Sequence, residues 1–243
     1  MLPAVEDAQA VQELAAPVPH ALAVPHYLRQ AYWWAYVHPR GVGLFEREWL
    51  IDLILFGNYA RLRDAALAEL GATVTGRTLQ VACVYGNLTP HLQQRLGPEA
   101  RLDIVDILPI QLKNLRRKLP ADERVTLLHG NSARLACPEA SYDQVLLFFL
   151  LHEQPRHVRS ATLAEAMRVV KPGGKVIVVD YHRPVGWHPL RPLVMTVFRQ
   201  LEPYAMDLWT HEIEEFMQGL PRPASRTKRN YFGGLYQKLV LVR

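Results

Sequence analysis

Short apolar runs alternate with helical stretches between residues 76 and 181, and this alternation limits the chain to few folds. The runs have the length and the Val, Ile and Leu content of buried strands. Such a pattern predicts βαβ units, a mostly parallel sheet and helices on both of its faces. The predicted strands cover residues 78–84, 101–107, 125–130, 142–151 and 175–181, and the predicted helices cover 89–96, 109–119 and 160–170.

The C-terminal part of the sequence predicts an antiparallel hairpin. A helical stretch near residues 211–219 precedes RTKRNYFGGLYQKLVLV, in which Gly233 and Gly234 separate two β-prone runs. A doubly wound α/β sheet of seven mostly parallel strands, closed by such a hairpin, resembles the class I methyltransferase fold. A dinucleotide-binding dehydrogenase would continue instead with parallel units.

The N-terminal part has a different character, and we divide the chain into residues 1–75 and 76–243. Residues 1 to about 25 are rich in Ala, Val and Pro without a period, which predicts a poorly ordered lead-in. Residues 26–70 have helical character, with an aromatic-rich stretch that includes Trp33 and Trp34. The aromatic region 27–56 has two interpretations, an extra pair of core helices or a lid over a substrate.

Composition and charge narrow the class of protein. The 28 Lys and Arg residues exceed the 23 Asp and Glu residues, so the formal charge is +5. A basic balance suits an anionic surface or cofactor, but the basic runs 116–118 and 222–229 are short, and we expect no nucleic-acid partner. Cys83 and Cys137 cannot form a disulfide framework, which favours a reducing, cytoplasmic environment. No secretory signal or spanning apolar stretch is expected.

The turn after the first predicted strand is the expected cofactor site. In the methyltransferase fold this turn usually reads acid-x-x-x-Gly-x-Gly, whereas here Gln80 replaces the acid, Val84 replaces the first glycine and Gly86 remains. Asp106 ends the second strand, where a carboxylate can accept hydrogen bonds from two ribose hydroxyls. Asn131 follows the third strand and can contact an adenine edge, or can simply form an Asx turn. The predicted cofactor-binding residues are Ala82, Val84, Gly86, Asp106, Ile107, Asn131 and Ser132.

Polar residues follow the fourth and fifth predicted strands. His152 and Glu153 follow the fourth, and Asp180, Tyr181 and His182 end the fifth. Because both strand ends should face the crevice, we expect His152, Glu153, Asp180 and His182 to meet around one substrate, with Tyr181 pointing away. They can act as acid and base, or can hold manganese or a similar ion; otherwise they cap loops. We expect Asp143, at the opposite edge, to be structural.

The strings Gln80 to Asn87, LLFFLLHEQP, VVDYHRP and YFGGLYQK resemble the rhodoquinone biosynthesis family, from about His26 to the C-terminus. The resemblance implies conversion of ubiquinone to rhodoquinone, in which an amino group replaces a ring methoxy group during anaerobic respiration. S-adenosylmethionine is then the amino donor, with a divalent metal, most simply Mn²⁺, assisting. On this basis we assign Tyr85, His152 and His182 as catalytic and Glu153 and Asp180 as metal ligands.

The same resemblance sets the expected partners. The substrate is an isoprenoid quinone, and the aromatic lid becomes a groove for its tail, with Trp33, Trp34 and Trp49 at a membrane surface. We expect a cytoplasmic protein peripherally associated with the inner membrane, and the sequence leaves its oligomeric state open. One departure is Asn87, where similar turns often carry an acid. The alternatives are a conventional methyltransferase acting on a quinone or lipid, and a nucleotide-binding pseudo-enzyme.

Overall fold

The protein is described by a computed structural model, which covers residues 22–243. The predicted lead-in therefore lies almost entirely outside the described residues. Among residues 22–243, no helix combines the length and the apolar character that a membrane crossing requires.

A single sheet of seven strands organises the molecule, in the order β3-β2-β1-β4-β5-β7-β6. The first five strands are parallel to their neighbours, and β7 runs antiparallel to both β5 and β6. This confirms the predicted fold class. The strands are β1 (Arg77–Val81), β2 (Arg101–Asp106), β3 (Val125–His129), β4 (Tyr142–Phe148), β5 (Val170–Tyr181), β6 (Ser225–Tyr231) and β7 (Tyr236–Val242).

Helices precede, connect and follow these strands. Four short helices come before the sheet, and a π-helical turn at Trp33–Val37 separates the first two. The bounds are α1 (His26–Ala31), α2 (Pro39–Phe45), α3 (Glu48–Ile54), α4 (Tyr59–Leu70), α5 (Leu88–Gln94), α6 (Pro109–Lys118), α7 (Arg156–Val169), α8 (Arg191–Leu201) and α9 (Asp207–Thr210). Turns of 3₁₀-helix occur at Leu151–Glu153, Ile213–Met217 and Phe232–Gly234.

Several predicted boundaries move. Helix α5 begins at Leu88, so Thr89 lies inside the helix, where its hydroxyl donates to Oε1 of Gln80 (3.1 Å). Helix α7 begins at Arg156 and is longer than the predicted one. The stretch near residues 211–219 forms only a 3₁₀ turn, and residues 172–174 lie within the irregular start of β5.

One large apolar core fills the space between the sheet and its helices. A second, small cluster of Leu28, Tyr32 and Leu108 joins α1 to the end of β2. The N-terminal helices thus lie over the carboxyl ends of the parallel strands, where ligands bind in open α/β sheets. The division at residue 75 stays a prediction.

Candidate active site

A cavity of about 610 Å³ opens at the carboxyl ends of β1 to β5. One part of its wall comes from the predicted cofactor residues Ala82, Val84, Asp106, Ile107, Asn131 and Ser132. Another comes from α1, α2, α3 and α8, whose contributions are mostly apolar or aromatic. The cavity therefore joins a nucleotide-sized crevice to an apolar mouth.

The turn after β1 is held by its own side chains. Gln80 is fully buried; its Nε2 donates to the carbonyl of Ala82 (3.0 Å), and its Oε1 accepts from Thr89. Ala82 lies in the left-handed region with φ 73°, which an L-residue adopts at a cost of about 1 kcal/mol. The neutral amide of Gln80 thus stabilises this turn, at the position where the methyltransferase fold usually has an acid.

Gly86 does not line the cavity, although we predicted that it contacts the cofactor. A Cβ atom at this position would lie 2.5 Å from the Tyr59 hydroxyl, and its φ is 79°. The same hydroxyl accepts from the backbone N–H groups of Asn87 (2.8 Å) and Leu88 (3.0 Å) at the start of α5. A glycine is needed here because Tyr59 covers the helix start, and not because a ligand approaches.

Asn87 has a structural position next to that helix start. Its Oδ1 accepts from Arg63 (2.7 Å), and its Nδ2 donates to Glu48 (2.6 Å) on α3. The side chain therefore bridges a cation and an anion, which requires both an acceptor and a donor. An amide meets this requirement, whereas the acid found in similar turns does not.

Asp106 lies at the cavity wall, buried at the end of β2. Its Oδ2 accepts from the backbone N–H of Cys83 (2.7 Å), and its Oδ1 accepts from that of Leu108 (2.8 Å). Burial raises the pKa of Asp106 to about 6, although the two backbone donors oppose this. Each oxygen keeps a second lone pair for a ligand hydroxyl.

Asn131 and Ser132 follow β3 and also line the cavity. Oδ1 of Asn131 accepts from the backbone N–H of Ala133 (2.9 Å), so the Asx turn exists, and the residue still faces the cavity. Ser132 accepts from Nε2 of Gln154 (3.1 Å) and lies 3.0 Å from the hydroxyl of Thr162. Both residues line the cavity, and their contact with an adenine edge stays a prediction.

Tyr85 lines the cavity, but its hydroxyl already has two protein partners. It donates to the carbonyl of Ala35 (2.7 Å) and accepts from Nε2 of Gln111 (2.7 Å). Its ring stacks on Tyr36 at a centroid distance of 5.5 Å, and burial raises the pKa of its phenol. Through these contacts Tyr85 joins the cofactor turn to the N-terminal helices. Its hydroxyl hydrogen is already donated to Ala35, so the structure does not favour Tyr85 as a proton donor to a substrate.

His152 and Asp180 form a buried ion pair. Nδ1 of His152 lies 2.9 Å from Oδ1 of Asp180. The Asp180 oxygens also accept from the backbone N–H groups of Leu151 (2.8 Å), His152 (3.3 Å) and Tyr181 (2.8 Å). Burial alone would lower the pKa of His152, but the Asp180 carboxylate outweighs burial and raises it to about 9. Asp180 therefore holds His152 as an imidazolium near neutral pH.

Glu153 adds a second titratable group to the cavity wall. Burial raises its pKa to about 8, although the charge of His152 opposes this. Its Oε1 lies 3.8 Å from Nε2 of His152, and Tyr36 lies on its other side. Around neutral pH the wall thus carries a protonated imidazole beside a protonated carboxyl, two groups that give protons or hydrogen bonds.

At the end of β5, Tyr181 faces the cavity and His182 does not, which is the reverse of our prediction. His182 does not line the cavity: its Nδ1 lies 2.9 Å from the carbonyl of Gly234, and its Nε2 lies 3.5 Å from Glu212. It belongs to a second hollow near the hairpin. Tyr181, which we expected to point away, lines the main cavity. The assignment of His182 as catalytic therefore has no support from its location.

The predicted metal ligands do not fit a metal ion. The two carboxylate oxygens of Asp180 already interact with four protein donors, and a metal ion would have to displace at least one of these donors. Glu153 faces the cavity without a matching set of acidic or imidazole ligands. Within residues 22–243, no group of three His, Cys, Asp or Glu side chains is placed to hold a metal ion. We therefore correct the assignment of Glu153 and Asp180 and derive no chemistry from a metal.

Three other polar residues line the cavity: Glu202 just after α8, Tyr27 in α1 and Tyr36 in the π-helical turn. Tyr27 and Tyr36 belong to the aromatic region 27–56, which we interpreted as core helices or as a lid over a substrate. Glu202 carried no signal in the sequence, because it comes from a segment without strand periodicity. The two remaining expectations agree with the structure: Asp143 accepts from the backbone of Arg77 and pairs with Lys171, and Cys83 and Cys137 are free and half-buried.

Comparisons with known proteins agree with this geometry. Residues 78–174 match the family model described as a methyltransferase domain. The demethylmenaquinone methyltransferase of Bacillus licheniformis is 25% identical over 179 residues, which cover 72% of this chain and 76% of the relative. This stretch of similarity extends well beyond the residues that match the family model.

Solved structures show the fold. An O-methyltransferase family protein from Burkholderia thailandensis matches with a TM-score of 0.62 at 18% identity, over 85% of this chain and 61% of its own. The N-methyltransferase NodS from Bradyrhizobium japonicum, in complex with S-adenosyl-L-homocysteine, matches with a TM-score of 0.54 at 11% identity, over 75% of this chain and 85% of its own. The chain thus has the class I methyltransferase fold, and residues 78–174 within it match the methyltransferase domain model.

Proposed function

We propose that the chain is an S-adenosylmethionine-dependent transferase that converts ubiquinone to rhodoquinone by replacing a ring methoxy group with an amino group. One observation carries the proposal. A single cavity joins the crevice at Asp106 to an apolar mouth, and His152, which is paired with the buried Asp180 behind it, lies on its wall. A polar cofactor and an isoprenoid quinone need such a combined space.

The cofactor end of the cavity suits S-adenosylmethionine, which supplies the transferred group when bound. Asp106 accepts hydrogen bonds from the ribose, and Asn131 and Ser132 contact the adenine. The turn from Ala82 to Tyr85 then borders the methionine end. The structure of NodS with S-adenosyl-L-homocysteine supports this choice of cofactor through the shared fold.

The altered turn favours amino transfer. A nucleophilic amine must be uncharged, and nearby carboxylates would hold its proton. Residues 80–87 contain no Asp or Glu, and the position usually taken by an acid is the buried amide of Gln80. Val84 and Tyr85 also add side chains where glycine would leave space. We propose that these changes present the amino end of the cofactor to the ring.

His152 and Glu153 supply the proton chemistry in this proposal. Attack of the amine on the quinone ring places negative charge on a ring oxygen, and the methoxy group departs with a proton as methanol. Release of the nitrogen would then break its bond to the α-carbon of the donor, with loss of a proton from the adjacent carbon. Nε2 of His152 points away from Asp180 and carries a proton below pH 9, so it can stabilise that oxygen. The Glu153 carboxyl keeps its proton below pH 8 and is the second donor.

The apolar mouth supports a membrane location. Within residues 22–243, the exposed large hydrophobic side chains fall in two segments, 22–54 and 185–201. Members of both segments line the cavity, among them Leu53 and Leu193. We propose that the mouth rests on the cytoplasmic surface of the inner membrane and receives the quinone tail there, with the N-terminal helices as its cap.

A conventional methyltransferase acting on a quinone is the second candidate. The demethylmenaquinone methyltransferase relatives favour it, since they combine the same sequence region with quinone methylation in their names. The fold and the cavity serve both reactions. The two candidates differ only in which end of the cofactor faces the ring.

One experiment separates the candidates. The protein is incubated with a short-tailed ubiquinone analogue and S-adenosylmethionine that carries different isotopes in its amino and methyl groups, with and without manganese, and the quinone is analysed by mass spectrometry. Exchange of methoxy for labelled nitrogen supports the proposal. A parallel incubation uses an analogue that lacks the ring methyl group, because the fully substituted ubiquinone ring has no position for a further methyl; labelled methyl in that analogue supports the second candidate. If both quinones stay unchanged while the cofactor binds, the chain is a pseudo-enzyme.

A further inference from the structure

Arg159, in α7, is a fully buried cation that the proposed proton chemistry leaves out. A buried charge destabilises a fold unless its partners are close and well oriented. The centroid of the Phe216 ring lies 4.5 Å from the guanidinium carbon. The ion-pair partner is Asp207, whose Oδ2 lies 3.3 Å from Nη1 and whose side chain is 40% exposed. A half-exposed carboxylate compensates a buried cation only in part, so the other hydrogen bonds of the guanidinium must account for its burial.

The other donors of Arg159 bind backbone carbonyls on two segments. Nε donates to the carbonyl of Leu151 (2.8 Å), and Nη2 donates to that of Gln154 (2.9 Å). These two residues directly precede and follow the two proposed proton donors in the sequence. Nη2 also donates to the carbonyl of Tyr204 (2.9 Å), between α8 and α9. One side chain therefore holds the turn that carries the proton donors together with the segment that follows α8, a wall of the cavity.

The turn at Leu151–Glu153 depends on support from outside. The two backbone hydrogen bonds that form it are long, at 3.3 Å and 3.2 Å between nitrogen and oxygen. Asp180 accepts from two N–H groups of the turn, and Arg159 donates to the carbonyls of its first residue and of the residue that follows it. A buried anion and a buried cation thus fix this backbone from opposite sides, and the backbone determines where His152 and Glu153 lie.

We propose that Arg159 is a positioning residue whose guanidinium fixes the turn of His152 and Glu153 relative to α8, so that both proton donors meet the same bound ring. This inference rests on the proposed function, because it takes these two residues as the groups that act on a quinone. The planar guanidinium donates in several fixed directions at once, whereas a lysine ammonium is a compact charge on a flexible stem. The role therefore requires the shape of the guanidinium and not only its charge.

Arg159→Lys tests the proposal, because it keeps the charge and loses the planar set of donors. The full chain is assayed with S-adenosylmethionine and the two short-tailed quinone analogues, and rates are compared for the analogue that the wild type converts. We expect kcat to fall by about tenfold to a hundredfold, while KM for the quinone and the affinity for S-adenosyl-L-homocysteine change by less than about threefold. The NMR signal of the His152 ring should also shift or broaden, because its backbone is no longer held in one position.

Arg168→Lys is the matched control. Arg168 lies on the same helix and also donates to two backbone carbonyls, those of Leu135 (3.1 Å) and Cys137 (2.9 Å). Neither of these residues lines the cavity. The control makes the same chemical change at a similar contact, so it should lower the unfolding free energy and leave kcat and the His152 signal unchanged. A purely structural role of Arg159 predicts the same result for both variants.

The outcomes distinguish this inference from the proposed function. If the wild type binds S-adenosyl-L-homocysteine but converts neither quinone, the proposed function fails and the inference fails with it. If the wild type only methylates, amino transfer fails, and the kcat values of the two variants still decide the inference. If Arg159→Lys keeps the wild-type kcat, or if Arg168→Lys loses as much, only the inference fails. If Arg159→Lys does not fold, Phe216→Leu removes the ring beside the guanidinium instead, and wild-type kcat and an unchanged His152 signal in that variant overturn the inference.

Discussion

At the scale of single residues, the role of each carboxylate in the site depends on how many hydrogen bonds its oxygens already accept from the protein. Asp180 gives both of its oxygens to His152 and to backbone donors, and so it acts on the substrate only through the imidazole. Asp106 also accepts two backbone hydrogen bonds but stays at the cavity wall. The two carboxylates lie at the carboxyl ends of parallel strands in one sheet, yet Asp180 supports His152 whereas Asp106 is the proposed ribose-binding group.

The first prediction concerns Asp180, the carboxylate that supports His152. Replacing Asp180 with Asn removes the charge that contributes most to keeping His152 protonated, so the pKa of His152 should fall from about 9, because burial is then opposed only by Glu202 and Glu153. An NMR titration of the His152 ring measures this. Loss of the buried pair should also cost about 3 kcal/mol of unfolding free energy.

The same pair predicts a pH dependence of stability. Since the pKa of His152 is raised in the folded state, its stabilisation is complete below pH 6.5 and is lost as the pH rises through 9. Asp180→Asn should lack this decline. Glu212→Gln, beside His182, is the control and should leave the His152 titration unchanged. If the pKa of His152 in Asp180→Asn equals that of the wild type, Asp180 does not keep His152 protonated.

The second prediction concerns the amide at Asn87. In Asn87→Asp the donor to Glu48 is lost and two carboxylates face each other, so the unfolding free energy should fall by about 1 kcal/mol. Urea unfolding measures the change. Adding Glu48→Gln should restore most of it, because the new amide can donate to the carboxylate introduced at position 87. Equal stability of Asn87→Asp and wild type would show that the bridge contributes nothing.

Sequence reasoning reached some of these residues and missed others for definite reasons. Asp106 and His152 were predicted because the carboxyl ends of parallel strands share one edge of a sheet. The predicted orientations of Tyr181 and His182 were wrong: Tyr181 lines the main cavity and His182 does not. The end of β5 is buried on both faces, so its sequence shows no alternation of polar and apolar residues that would indicate which face meets the cavity. Glu202 was missed because only tertiary packing brings the end of α8 to the cavity.

At the scale of secondary structure elements, the N-terminal helices are tied to the cofactor turn. Lys118 at the end of α6 pairs with Glu46 (2.5 Å), just after α2, and also donates to the carbonyl of Gly86 (2.9 Å). Tyr85 makes a second tie through the carbonyl of Ala35. The elements that border the tail end of the cavity and those that border the cofactor end are therefore held by shared contacts.

The third prediction tests this connection. Lys118→Met removes the charge between α2 and the turn, so hydrogen exchange at the α2 amides should become faster and the affinity for the quinone analogue should fall by about threefold. Lys113→Met, at an exposed position of the same helix, is the matched control. Unchanged exchange in α2 would mean that other contacts, among them those of Tyr85 and Asn87, hold the helices without Lys118.

The elements themselves were largely predictable, and their ends were not. All five parallel strands and the hairpin follow from apolar runs and turn residues. The predicted helix 89–96 instead begins at Leu88, so Thr89 lies in its first turn and its hydroxyl donates to the buried Gln80. Apolar periodicity in the sequence does not show a side-chain contact of this kind.

At the scale of the whole molecule, the distribution of apolar surface is uneven. The two segments that carry the exposed hydrophobic side chains also carry exposed arginines, among them Arg40, Arg47 and Arg199. Apolar side chains beside cations suit the interface of an anionic bilayer. The mouth of the cavity lies within this surface, and in the proposed function a lipid-dissolved substrate would enter there.

The fourth prediction follows from that distribution. Leu53 is 64% exposed and lines the mouth, so Leu53→Asp should weaken binding to vesicles of anionic phospholipid by more than about tenfold while leaving cofactor affinity unchanged. Co-sedimentation measures the binding. Thr227→Asp adds the same charge at an exposed position of β6 and should have little effect. Equal loss in both variants would indicate a general charge effect.

The contact between His152 and Asp180 has one more consequence. With Nδ1 held 2.9 Å from the carboxylate, only the opposite nitrogen of the ring is open to the interior of the cavity. Every exchange of a hydrogen ion between this ring and a bound molecule must pass through that one atom. A reagent that alkylates imidazoles should accordingly mark a single nitrogen here, and the tautomer of the neutral ring is set in advance.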